Sequence, residues 1–215
     1  ADTIPSILAG DFAEVDRLTV CRQARLDVNA TAPLDLASLA ITSATVTVTC
    51  SAPGTNIVSD AVIVAGTAQL QHGSGSVNGL QIACRNLAVE TGARINAAAR
   101  GALAHPSATG RAGGSHGGIG TTWGFGSVTG PTYGDALRPM ALGTGGTRDG
   151  FSSSRGGGRI QITADSILLN GSVTANGQNS PEYTGSGSGG SILIEAGTLS
   201  GSGSITANGG VPVNA

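Results

Sequence analysis

Residues 157–177 and 189–209 are two versions of one sequence. GGRIQITADSILLNGSVTANG recurs as GGSILIEAGTLSGSGSITANG at an offset of 32, from Gly157 to Gly189, with 11 of 21 aligned positions identical. Such self-similarity marks a chain that stacks one small unit on the next, because a single unit cannot bury its apolar face alone. Each copy holds three short alternating pieces, which in the first are Ile160-x-Ile162, Ile167-x-Leu169 and Val173-x-Ala175. A period of two sends those side chains to one face of a strand and Gln161, Leu168 and Thr174 to the other. The Ala-Asp and Asn-Gly pairs between pieces suit sharp bends, since Asn and Gly tolerate positive φ. A helix is disfavoured by the β-branched, Gly-interrupted windows. The pattern predicts an all-β parallel β-helix with three short strands per coil, in which Ile160 lies against Ile192 and Val173 against Ile205. A two-sheet sandwich is the competing architecture, and it requires hairpin turns at regular spacing.

Fainter versions run upstream. Leu18-Thr-Val20 followed by Leu26-Asp-Val28 parallels Leu87-Ala-Val89 followed by Ile95-Asn-Ala97, and 34–36, 39–41, 46–48, 62–64 and 80–82 also alternate. The count is about five or six coils, a column on the order of 25–30 Å tall at ~4.8 Å per stacked strand. Residues 1–215 read as one domain, with 1–17 as an N-terminal cap or exchange segment and 157–209 as two full coils. Residues 98–156 break the pattern. They are Gly-rich and carry Trp123, Phe125, Tyr133 and Phe151, four of the six aromatics in the chain. Structureless loops of that length are uncommon, and a flexible linker would not carry aromatics. The segment is expected to fold back over a lateral face of the column.

Composition narrows the function classes. The chain has eleven Arg and no Lys, with a net charge of −2, which argues against a nucleic-acid-binding face and a polybasic membrane surface. No apolar run reaches the ~18 residues of a membrane span. The opening Ala1-Asp2-Thr3 has no charged-then-apolar leader, so the expectation is that any secretion signal has been removed or never existed. No phosphate loop is present, because its lysine is missing, and calcium is unsupported because the nonapeptide repeat is absent. No cofactor is expected.

The segments GGSHGGIG (113–120), GPTYGD (130–135), LGTGG (142–146), GGGRIQI (156–162) and GSITANGG (203–210) together resemble the Gly-rich right-handed parallel β-helix repeats of secreted and cell-surface, adhesin-like bacterial proteins. The likeness covers roughly residues 80–215. It implies a right-handed solenoid, an extracellular setting and a role as stalk, coat or adhesive region; it supplies no catalytic residues, and fold alone does not settle function.

Cys50 and Cys84 each follow an inward apolar position by two residues, and their positions differ by 34, close to the repeat offset of 32. Stacked positions fall within disulfide reach, so a Cys50–Cys84 bridge is expected, with Cys21–Cys50 as the competing pairing. Catalysis needs clustered carboxylates, and the acids here are scattered. The best constellation is His105, His116, Asp135, Arg138 and Asp149, whose Gly and Thr neighbours point to turn-holding roles instead; the chain is not expected to be an enzyme. A ligand surface, for surface glycans or a receptor, is placed on His116, Trp123, Phe125, Tyr133, Asp135 and Arg138, against the alternative that the rings anchor the excursion.

A β-helix has two open ends, and edges of that kind are normally covered. Little material follows the last repeat, and the N-terminal stretch is short and apolar. Ile4, Ile7, Leu8 and Phe12 at one end and Val211 and Val213 at the other are therefore expected to mediate self-assembly. Head-to-tail contact between unlike ends builds open filaments. The expected function is an extracellular structural protein whose copies stack into a fibre or surface layer. The alternatives are a glycan- or receptor-binding adhesin module using 98–156, and a carbohydrate-active enzyme.

Overall fold

A computed structural model describes residues 6–8, 15–51, 53–181 and 183–212. These residues contain no helix and form two large parallel sheets. The seven-stranded sheet holds β1 (Ser6–Leu8), β3 (Arg25–Ala30), β5 (Thr45–Cys50), β7 (Gln69–His72), β9 (Arg94–Asn96), β15 (Ser172–Thr174) and β17 (Ser204–Thr206), in that order. The six-stranded sheet holds β2 (Arg17–Cys21), β4 (Leu34–Thr42), β6 (Ile57–Ala65), β8 (Leu80–Val89), β14 (Arg159–Leu169) and β16 (Ser191–Ser200). Successive strands of this set alternate between the sheets. Each strand from β2 onward therefore pairs in parallel with the next strand of its own sheet, not with its sequence neighbour, and the described parts of both sheets hold no hairpin.

The register is the one the repeat predicts. Ile160 pairs with Ile192 and Ile162 with Ile194, and Val173 pairs with Ile205. The columns run on through the upstream strands: Leu18, Leu39, Val62, Leu87, Ile167 and Leu199 occupy one level. Leu26, Val46, Leu70, Ile95, Val173 and Ile205 occupy another. Between the sheets lies a narrow core in which Leu39, Ile41, Ile57, Leu70, Ile95, Ile160 and Ile162 have no exposed surface. Branched aliphatic side chains, Leu, Ile and Val, fill it because two facing sheets leave only about one side-chain layer from each.

Where three short strands per repeat are expected, the structure has two. The first two alternating pieces of each repeat run as one long strand, and the ladder skips one residue where the bend was expected. The skipped positions are Ala37, Asp60, Arg85, Asp165 and Gly197, one above another. A single unpaired residue turns a strand without ending it. There the Arg85 guanidinium meets Asp60 at 3.3 Å, an exposed pair of small energetic weight. The turns into the seven-stranded sheet use left-handed backbone at Gln23, Ser43 and Gly66, with φ of 61°, 48° and 64°. Asn170 is not among the positive-φ residues; its side chain instead accepts the Ser202 N–H at 3.2 Å. Asn176 and Asn179 do the same for the Asn208 and Val211 N–H groups, at 2.8 and 2.9 Å. Asparagine amides thus tie the first copy of the repeat to the second.

The Cys50–Cys84 bridge is a correction. Cys50 ends β5 in one sheet, whereas Cys84 lies in β8 of the other, and all three cysteines are free thiols. Layers in the N-terminal half are shorter than the C-terminal repeat: Leu18 to Leu39, Leu39 to Val62 and Val62 to Leu87 are steps of 21, 23 and 25. A separation of 34 therefore spans no single layer there. Burial, and then the Asp165 charge, push the Cys84 thiol up to about 11.

Candidate functional site

Residues 98–156 do not trail as a loop. They contribute two antiparallel pairs, β10 (Thr109–Ala112) with β11 (Thr122–Val128) and β12 (Thr147–Arg148) with β13 (Phe151–Ser152). The remainder runs as extended glycine-rich segments that hydrogen-bond to one another outside any ladder. The Gly101 N–H donates to the Gly156 carbonyl, Gly143 to Gly157, Gly157 to Ser188, Ser188 to Thr144, and Gly190 to Ala175. Glycine is required here for space and not for φ: Gly143, Gly156, Gly157 and Gly190 are absent from the left-handed set. A Cβ on any of them would overlap backbone of a neighbouring segment. The glycine content identified in the sequence is thus a close-packed backbone bundle docked beside the sheets.

Between this bundle and the end of the sheets carrying β16 and β17 lies an open groove of about 1290 Å³. The Tyr133 ring packs against His116 with centroids 5.0 Å apart, and its hydroxyl donates to the Leu142 carbonyl at 2.5 Å. Burial raises the Tyr133 pKa. The His116 Nδ1 lies 3.0 Å from the Gly189 carbonyl, which can only accept, so Nδ1 carries the proton and Nε2 is an acceptor in the neutral ring. Farther along, Trp123 and Tyr183 stand 5.2 Å apart, with the Arg111 guanidinium 4.9 Å from the Trp123 ring centre and 5.7 Å from that of Tyr183. Trp123 and Tyr183 remain 56% and 55% exposed, so neither ring is consumed by anchoring the excursion.

Of the residues expected to form a ligand surface, His116, Trp123, Tyr133 and Asp135 line this groove and Arg138 does not. Phe125 lies on β11, and its side chain falls outside the described part. Asp135 is occupied locally: its carboxylate accepts from the Leu137 and Arg138 N–H groups at 2.7 and 3.1 Å, which hold its pKa below the ordinary range. His105 Nδ1 bonds the Ser107 hydroxyl at 2.7 Å, and Asp149 faces Arg111 and Arg148. The five candidate catalytic groups are therefore not gathered into one centre. Sequence reasoning missed Tyr183 and Arg111. Tyr183 sits in the connection from β15 to β16, remote from the excursion in sequence, and no local pattern links it to Trp123.

The second feature is the end of the stack itself. Ile160, Ile162, Ile167 and Val173 are 0, 0, 2 and 1% exposed. One layer on, Ile192 and Ile194 are only partly buried, while Leu199 and Ile205 are 54 and 45% exposed. Val211, assigned to self-assembly, is 60% exposed beside Pro212, which bridges to Ser180. At the other end, the β1 backbone places Ile7 opposite Val28 and Leu8 opposite Asn29 of the same chain. Ile4, Phe12 and Val213 lie outside the described residues. No protein-family model, curated protein or solved structure matches the chain.

Proposed function

We propose that the chain winds as a right-handed parallel β-helix and serves as an extracellular structural element, its columns extended when a second copy seats on the β16–β17 end. The observation that carries this reading is the exposure of Leu199 and Ile205 in line with the buried Ile167 and Val173. An identical copy presents Leu18, on the opposite edge strand of the six-stranded sheet, at the same column level as Leu199. Seating it would cover the apolar end and pair the unpaired backbone edge in one step, and contact between unlike ends propagates as an open filament. Low charge and small Gly, Ala, Ser and Thr side chains favour close contacts between columns.

The test is negative-stain microscopy of concentrated protein. Filaments with an axial repeat of roughly 29–34 Å, six or seven strand spacings, are expected. The double variant Leu199→Asp, Ile205→Asp should remain monomeric with a melting transition close to that of wild type, because both side chains are already about half exposed. Monodisperse wild-type particles at high concentration would contradict the reading. A second reading, a recognition surface on the excursion, is favoured by one observation: the groove holds two ring pairs, and one of them is largely exposed.

A further inference from the structure

We infer that the groove is a binding site for an uncharged polysaccharide, which rests on the recognition reading above and gives it a ligand class. Its size comes first. At about 1290 Å³ it exceeds the ~300–1,000 Å³ of ordinary small-molecule sites and is open, which suits a chain of several sugar units better than one compact ligand.

The lining gives the chemistry. Two ring pairs stand along the groove, His116 with Tyr133 and Trp123 with Tyr183. Aromatic faces take up the apolar C–H faces of sugar rings, and the polar tips answer the hydroxyls. Tyr183 holds a φ of +59°, a left-handed conformation that a bulky residue adopts only at a cost; that backbone sets its ring beside Trp123. Charge is scarce and already committed. Arg111 pairs with Asp149 at 3.4 Å and stacks on the two rings, and the Asp135 carboxylate serves its own turn. Among the described residues of the lining, the one guanidinium, Arg111, already faces Asp149 and the one carboxylate, Asp135, holds its own turn through Oδ1, so neither sign of charge predominates to recruit an ionic ligand.

The floor discriminates against a peptide. Gly114, Gly185, Gly187, Ser188, Gly190 and Gly210 all donate their N–H groups to carbonyls of this same chain. An extended peptide needs a row of open donors and acceptors with which to add a strand; these glycine-rich segments have their donors spent, and the open backbone edge of β16 and β17 reaches the groove only at Ser191, Ile192 and Ile205. What remains are second lone pairs on carbonyls, the His116 Nε2 and the hydroxyls of Thr121 and Ser186, which can accept from sugar hydroxyl donors.

Trp123 is the only tryptophan, so its emission reports directly on the groove. The experiment titrates purified protein with soluble neutral β-glucan, mannan and galactan, with polygalacturonate, and with a glycine-rich peptide, and confirms each by calorimetry. At least one neutral glycan should give a saturable emission change, and Tyr183→Ala should weaken it at least about tenfold, the loss typical of removing a central aromatic contact. By calorimetry, Trp123→Ala should do the same without altering the melting transition, since the ring is exposed. Leu199→Asp, outside the groove lining, should bind at least as tightly as wild type, because Ile192 and Ile205 belong both to the groove and to the β16–β17 end and blocking axial assembly leaves the groove open; a loss confined to the ring variants is therefore not a loss of assembly. Saturable binding of polygalacturonate or peptide alone would overturn the ligand class and leave the recognition reading standing. Binding of none of the probes, or neutral-glycan binding unaffected by either aromatic substitution, would overturn both.

Discussion

Replacing Gly157 by valine is expected to abolish folding. A Cβ at Gly157 would overlap the Ala175 carbonyl oxygen and stand 2.5 Å from the Gly190 amide nitrogen. Those atoms belong to backbone that is itself hydrogen-bonded, the Gly190 N–H donating to Ala175 and the Gly157 N–H to Ser188. The segments cannot part without breaking several such bonds. Overpacking ordinarily costs about 1–3 kcal/mol and occasionally more; overlap with fixed, hydrogen-bonded backbone puts this case at the upper end or beyond, a large fraction of an ordinary domain's stability. Gly117 and Gly118 lie in the same glycine-rich stretch of sequence, yet an added Cβ at either would meet nothing within 4 Å, and neither has a left-handed φ. Alanine at either should change stability by less than about 0.5 kcal/mol. Urea denaturation followed by circular dichroism measures all three. Equal tolerance at Gly157 and Gly117 would show that the bundle is not close-packed.

Acid should destabilise the fold through His72, beginning near pH 6.5, above the range where carboxylates titrate. His72 occupies an inward position beside Val48 and has no exposed surface. Its Nδ1 donates to the Gly73 carbonyl at 2.8 Å, and its Nε2 accepts the Arg159 N–H at 3.3 Å, so the neutral ring is satisfied at both nitrogens. Burial, reinforced by the Arg100 charge and opposed by the Gly73 bond, lowers its pKa from 6.5 to about 4. The folded value is below the unfolded one, so the unfolded chain binds the proton first. The full stability is present above about 6.5 and is lost as pH falls toward 4. The loss amounts to roughly 3 kcal/mol. Asp135 adds to acid sensitivity only lower down, as pH falls through its depressed folded pKa. Unfolding free energies at pH 7 and pH 4 should differ by about that 3 kcal/mol, and His72→Gln should remove most of the difference. A pH-independent wild type would contradict the burial of a neutral ring.

The stacked strands were legible in the sequence because side chains alternate only where a strand has an inside and an outside. Ile160 and Ile192 carry that signal undiluted, since the two copies of the repeat align without a gap. The bend at Asp165 was legible as a place but not as a geometry: one skipped residue and a strand break leave the same trace of alternation. Cys50 and Cys84 mislead because their spacing lies near the offset of the C-terminal repeat, while the N-terminal layers advance in steps of 21, 23 and 25. The glycine bundle has no side-chain pattern to read, so its backbone contacts are invisible in sequence. For the same reason Trp123 was identifiable as a candidate ring, but Tyr183 beside it was not. Its approach depends on how two glycine-rich segments dock.

The layer-on-layer register is tested most directly by an engineered crosslink. Thr163 and Glu195 face solvent and pair directly across β14 and β16. Thr163→Cys combined with Glu195→Cys, in a Cys21→Ser background, should oxidise to an intrachain disulfide detectable by mass and by non-reducing gel mobility. Adjacent strands ~4.8 Å apart place the two Cα atoms within the range such a bond accepts. Thr163→Cys combined with Thr198→Cys, out of register and ~10 Å apart along the strand, should stay reduced. Crosslinking of the second pair and not the first would mean that these strands do not stack as described.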